Sequence, residues 1–108
     1  MDVKVSQVEQ IAVFEVSGEI NISTSPDLKK HFEKQPSKSV VVNLEKVTYI
    51  DSSGLATLVE MLKKTRSKGG SLGLAGIPEK VKSLFEITKL DKLFSIFASQ
   101  AEAISKIK

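Results

Sequence analysis

The chain has 108 residues, enough for one hydrophobic core and one domain without metal or disulfide staples. Hydrophobic residues at 41% and charged residues at 27% describe a globular chain, not a disordered or coiled-coil one. The absence of cysteine excludes thiolate catalysis, disulfide frameworks and Cys-based zinc sites, and a single histidine, His31, leaves little for any other metal.

The formal net charge of +3 is spread through interspersed acids and bases, which favours solubility over a nucleic-acid footprint. The densest basic run, Lys63-Lys64-Thr65-Arg66-Ser67-Lys68, falls where a helix is expected to end, and cations there complement the helix dipole. No basic-then-apolar leader opens the chain, and no apolar run approaches the roughly 18 to 20 residues that cross a bilayer. These features predict a cytoplasmic protein with no membrane contact and no direct nucleic-acid partner.

Val3 and Val5, then Ile11 and Val13 with Phe14 and Val16 on the other parity, predict an N-terminal hairpin turning near Val8-Glu9-Gln10. Ser17-Gly18-Glu19 is expected to break the second strand, leaving Ile20 to Thr24 as a loop. Ser25 is the expected cap of the first helix, with Pro26 at its first position and Asp27 in its first turn. Leu28 and Phe32 share its apolar face and Pro36 ends it. Val40 to Leu44, polar only at Asn43, reads as a central strand covered on both faces. The helix between these strands is the crossover that parallel pairing requires.

Leu55, Leu58, Val59 and Leu62 recur at helical spacing, and Lys68-Gly69-Gly70 ends that second helix. Ser71 to Gly76 reads as a strand whose glycines do not fit a dinucleotide-binding loop. Pro78 opens a third helix carrying Val81, Leu84, Phe85 and Thr88, and Leu93 to Phe97 supplies a last strand. Ser99 to Glu102 has the spacing of a capping box, with Ala101 and Ile104 as the buried stripe of a fourth helix. The order ββαβαβαβα predicts a single α/β domain over residues 1–108, with a mixed central sheet, an N-terminal hairpin and four helices.

Within this layout Ile50-Asp51-Ser52-Ser53-Gly54-Leu55 hands a strand over to the second helix. In open α/β sheets, that end of the strands is where ligands and partners meet the fold. One cap residue accounts for one polar side chain, and here Asp51, Ser52 and Ser53 stand in a row. Gly54 is expected to bare backbone N–H groups that can meet an anion. A phosphate on Ser52 would add roughly −1.5 to −2 charges where the helix dipole favours them, by about 0.3 to 2 kcal/mol. A partner packed over the loop would have to desolvate that charge, and even about 3 to 4 kcal/mol of penalty lowers affinity roughly 100- to 1000-fold.

A serine nucleophile would need a base, and His31 lies on the first helix with nothing to bring it to Ser52. The stretch is neither G-x-S-x-G nor a phosphate-binding loop. The chain is therefore read as a non-enzyme with no catalytic residue, no metal and no cofactor.

The segment Val42 to Leu55, with Asp51-Ser52-Ser53-Gly54-Leu55 at its core, resembles the signature of STAS domains, and among them the stand-alone bacterial anti-sigma factor antagonists. The resemblance extends to Gly18-Glu19-Ile20, Gly69-Gly70, Val81 to Leu90 and Phe94 to Ile104. It implies a partner switch. The unmodified protein binds an anti-sigma factor that is also a serine protein kinase, phosphorylation ends the binding, and a PP2C-type phosphatase restores it. The resemblance makes Ser52 the acceptor. It places Gly54, Leu55 and the loop around Asn21, with Ser23 and Thr24, in the partner-binding surface, alongside Asp51 and Ser53. A monomer that forms heterocomplexes is expected.

Two departures stand out: Asn21 where members often carry aspartate, which keeps hydrogen bonding without charge, and Thr88-Lys89-Leu90 in place of Thr-Gly-Leu, expected to alter a helix exit. The alternatives are a constitutive STAS scaffold or a subunit of a stress-sensing or lipid-transport assembly, and a small hydrolase or ligand-binding domain.

Overall fold

Alternating apolar residues write the two faces of the sheet. In the computed structural model, which describes residues 1–107, five strands lie in the order β1-β2-β3-β4-β5: β1 (Asp2–Val8), β2 (Ile11–Ile20), β3 (Ser39–Ile50), β4 (Leu72–Ala75) and β5 (Ser95–Phe97). Ala12, Phe14 and Val16 of β2 and Val40, Val42 and Leu44 of β3 turn toward one core. Ile11, Val13, Val41 and Ala75 turn toward another. This is the period-2 geometry of a sheet covered on both sides.

Three helices close the larger core: α1 (Ser25–Lys34) with Leu28 and Phe32, α2 (Ser52–Ser67) with Leu55, Leu58, Met61 and Leu62, and α3 (Glu79–Ile87) with Val81 and Phe85. Helix α4 (Gln100–Ile107) covers the other face through Ala103. β1 and β2 are antiparallel and joined by Glu9 and Gln10, both at positive φ, the twist that a two-residue hairpin turn demands. The other pairings are all parallel, each reached through a helix.

Several expectations need correction. Ser17-Gly18-Glu19 does not end β2, which pairs with β3 as far as Ile20 opposite Ile50. Register shifts between Glu15 and Ser17 and between Gly18 and Glu19 absorb the irregularity, with Gly18 at φ 88°. β3 likewise runs past Leu44 to Ile50, and the last strand is shorter than expected because Leu90–Lys92 forms a 3-10 turn before it. Thr24, not Ser25, is the cap residue of α1, and its side chain does not cap; Ser25 is the first helical residue, with Pro26 behind it. In α4 the buried stripe runs through Ala103, while Ala101 is exposed. Only one half of the expected capping box is made there, Glu102 N donating to Ser99 Oγ at 3.2 Å.

Lys89 occupies the left-handed region at φ 62°, the conformation that a glycine at this helix exit would take without strain. Among the described residues no helix is long and apolar enough to cross a membrane. The parallel strands β2 and β3 finish side by side at Ile20 and Ile50, and the loop to α1 and the start of α2 leave from that shared edge.

Candidate functional site

Asp51 organises this edge. Its backbone N–H donates to Ile20 O at 3.1 Å, continuing the strand pairing by one bond, and its carbonyl accepts from Leu55 N at 3.0 Å. Its carboxylate splits between two segments: Oδ1 accepts from Gly54 N at 2.9 Å, capping α2, and Oδ2 accepts from Ile22 N at 3.1 Å. Asp51 is therefore the cap, and Ser52 is the first helical residue next to it.

Ser52 is exposed, Ser53 is half-buried, and neither hydroxyl has an intramolecular partner among the described residues. Their N–H groups belong to the first turn, where helix donors have no internal acceptor. An acceptor oxygen brought to Ser52 meets both those donors and the positive end of the α2 dipole.

The neighbouring loop is built by Asn21. Its Oδ1 accepts from Ser23 N at 2.9 Å and Thr24 N at 3.1 Å, while Nδ2 donates to Glu19 Oε1 at 3.3 Å. Thr24 Oγ1 accepts from Asn21 N at 2.8 Å and donates to Glu19 O at 2.9 Å, and Ser25 Oγ donates to Asn21 O at 2.7 Å. An uncharged amide thus suffices to fold the turn, because both backbone bonds need only an acceptor oxygen.

Of the residues picked from sequence, Asn21, Ser23, Thr24, Asp51, Ser52 and Ser53 come together at this edge. Gly54 and Leu55 lie beneath it: Gly54 is buried and Leu55 is only 6% exposed, in the main core. The expectation that Gly54 bares N–H groups to an anion is corrected, since its own N–H is taken by Asp51. A Cβ at position 54 would stand 2.6 Å from Ile20 O and 2.7 Å from Ile50 Cγ2, so the glycine is there for close packing of α2 on the ends of β2 and β3.

Sequence reasoning passed over Ile22 and Tyr49, 73% and 54% exposed. Ile22 follows Asn21 in the loop, and Tyr49 sits opposite Glu19 near the end of β3. The signal available was an isoleucine among polar loop residues and the chain's only tyrosine.

His31 stays on α1, its Nδ1 2.8 Å from Asp27 O and 3.7 Å from the Asp27 carboxylate. Among the described residues no group of three or more His, Asp or Glu side chains could hold a metal ion. Two concavities of about 620 and 640 Å³ are lined by other parts of the chain and include no residue from 19–25 or 49–55.

Known proteins share the sequence pattern and the fold. The sequence profile of the STAS domain matches residues 2–103. The anti-sigma-B factor antagonist of Listeria monocytogenes is 33% identical over 99 residues, covering 89% of this chain and 86% of its own. That of Staphylococcus aureus is 28% identical over 99 residues, covering 89% and 92%. A crystal structure of a candidate anti-sigma factor antagonist from Thermotoga maritima aligns with a TM-score of 0.92 at 27% identity, over 97% of this chain and 93% of that one. With the profile spanning all five strands and reaching into α4, the chain belongs to the STAS domain family.

Proposed function

We propose that this protein is an anti-sigma factor antagonist controlled by phosphorylation of Ser52. The observation that carries the reading is the Ser52 hydroxyl itself: exposed, without a hydrogen bond to any other described residue, and held at the first position of a helix beside an ordered loop. The names of the Listeria and Staphylococcus relatives support the same role. In its unmodified form the protein binds an anti-sigma factor that is also a serine kinase, through Asn21, Ser23, Thr24, Asp51 and Ser53 around Ser52, with Gly54 and Leu55 setting the helix that carries Ser52 and Ser53. Exposed Ile22, tethered beside the start of α2, gives this face apolar area for a contact. The protein is a substrate and a ligand, not an enzyme.

Phosphate at Ser52 is compatible with the fold, because it lies at the positive end of α2. A docked partner must desolvate it, and its charge then has no counter-charge unless the partner brings one. Removal by a PP2C-type phosphatase returns the binding form. Incubation with the cognate kinase and ATP, followed by mass spectrometry, is expected to place one phosphate on Ser52. Phosphate on Ser53 alone, or on neither serine, overturns the reading. Ser52→Ala should bind constitutively. Unchanged partner affinity in Ser52→Asp would favour a constitutive scaffold, the reading to which the uncharged Asn21 lends weight.

A further inference from the structure

We infer that Asp51 is a positioning residue that locks the 21–24 loop to the start of α2, so that the two halves of the docking face present themselves as one surface. An N-cap needs a single acceptor oxygen, and serine, threonine or asparagine supplies one as well as aspartate does. Asp51 uses one oxygen for that purpose, on Gly54 N at 2.9 Å, and has a second left over. The second reaches across 29 positions of sequence to Ile22 N at 3.1 Å. Among the described residues this is the one hydrogen bond that joins the 21–24 loop to the turn carrying Ser52; the loop's other bonds run to itself, to Glu19 and to the first turn of α1 at Ser25, Asp27 and Leu28.

The residue type follows from this double duty. Both partners are backbone donors, so the side chain must accept on both of its terminal atoms and donate on neither, which only an ionised carboxylate does. Asparagine at 51 would aim its NH₂ at one of the two N–H groups, and serine has one oxygen to share. Either keeps the cap and gives up the tether. The amide held by that tether belongs to Ile22, the most exposed large apolar residue next to Ser52, so its release frees an apolar anchor from its place on the docking face.

The effect on docking rests on the reading of Ser52 as the kinase substrate, whereas the tether itself does not. The test therefore has two arms, run on Asp51→Asn and Asp51→Ser in the full chain. In the first, amide hydrogen exchange by NMR is expected to show protection of Ile22 N–H falling about tenfold or more, as loss of a bond to a charged acceptor implies, with Gly54 and the core amides of β3 within about threefold of wild type. In the second, phosphorylation of Ser52 by the cognate kinase is expected to show KM raised roughly three- to tenfold with kcat changed less, because the loop must be ordered on binding.

Unchanged Ile22 protection in both variants overturns the inference whatever the kinase does. Lost protection with KM unchanged leaves the tether and overturns its role in docking. A wild-type protein that is not phosphorylated on Ser52 removes the functional proposal, and the exchange arm still decides whether Asp51 holds the loop.

Discussion

Gly54 shows at the scale of one residue how a legible motif can have an unreadable reason. Asp51-Ser52-Ser53-Gly54 stands out in sequence as a helix start with more hydroxyls than a cap requires, and the exposed Ser52 is where that reading put it. The glycine's role was not visible, because its neighbours Ile20 and Ile50 are brought against it by strand pairing, which no local pattern encodes. Ile22 and Tyr49 were passed over for the same reason: exposure of a loop isoleucine and of a strand-end tyrosine is decided by what the rest of the fold leaves uncovered. The contact geometry makes a firm prediction. Gly54→Ala places a methyl group inside van der Waals distance of Ile20 O, a backbone atom that cannot swing aside, so α2 must shift on the sheet. Overpacking of this kind lowers stability by about 1 to 3 kcal/mol. Urea unfolding should show the midpoint falling with an unchanged slope, and a midpoint equal to wild type would mean that the helix start has slack.

Elements were legible where a period was sustained and not where pairing overrode it. α2 could be placed from Leu55, Leu58 and Leu62 alone, whereas the ends of β2 and β3, with exposed Glu19, Glu45 and Lys46, carry no alternation strong enough to announce a strand. They are strands because each supplies the other's backbone partners out to Ile20 and Ile50. The exit from α3 was flagged by Lys89, and its φ of 62° makes Lys89→Gly an expected stabilisation of about 0.5 to 1 kcal/mol, read as a higher melting temperature. Between α1 and α2, Lys29 Nζ lies 2.9 Å from Glu60 Oε1 and Lys64 Nζ lies 3.1 Å from Glu33 Oε2, and within α2 Lys64 Nζ lies 3.5 Å from Glu60 Oε1. The Lys29 hydrogen bond holds the Glu60 pKa below the usual glutamate value, and the Glu33 hydrogen bond holds that of Lys64 above the usual lysine value. A lowered carboxyl pKa stabilises the fold above the unfolded-chain value and loses that contribution as pH falls through the folded one. A raised lysine pKa contributes below its unfolded value and loses that as pH rises through the folded one. These groups are solvent-exposed, so Glu60→Gln should change stability at pH 7 by less than about 1 kcal/mol. It should also flatten the acid side of the stability profile below the ordinary glutamate range; a midpoint loss comparable to Gly54→Ala would show a stronger network than surface pairs form.

Across the whole molecule, parallel strands and returning helices collect the helix N-termini at the Ser52 end and the C-termini at the other. Charge follows that polarity: Asp27, Glu79 and Glu102 stand in first turns, and Lys34, Lys64, Arg66 and Lys106 in last turns. The first turn of α2 is the exception, with no acidic residue inside it and only the capping carboxylate of Asp51 before it. A negative charge at residue 52 therefore fills a place that the other helices have already filled, and the protomer should tolerate it. Ser52→Asp is expected to melt no lower than wild type at low salt, and as much as about 4 to 8 °C higher if the dipole contributes a full 1 kcal/mol in a domain of this size. The increment should shrink as ionic strength shortens the reach of the charge, to about 10 Å at 0.1 M salt. Calorimetry across a salt series checks this directly. A Ser52→Asp protein that melts several degrees lower would mean that charge at this position loosens the start of α2, and that release of a partner comes from unfolding the docking face and not from obstructing it.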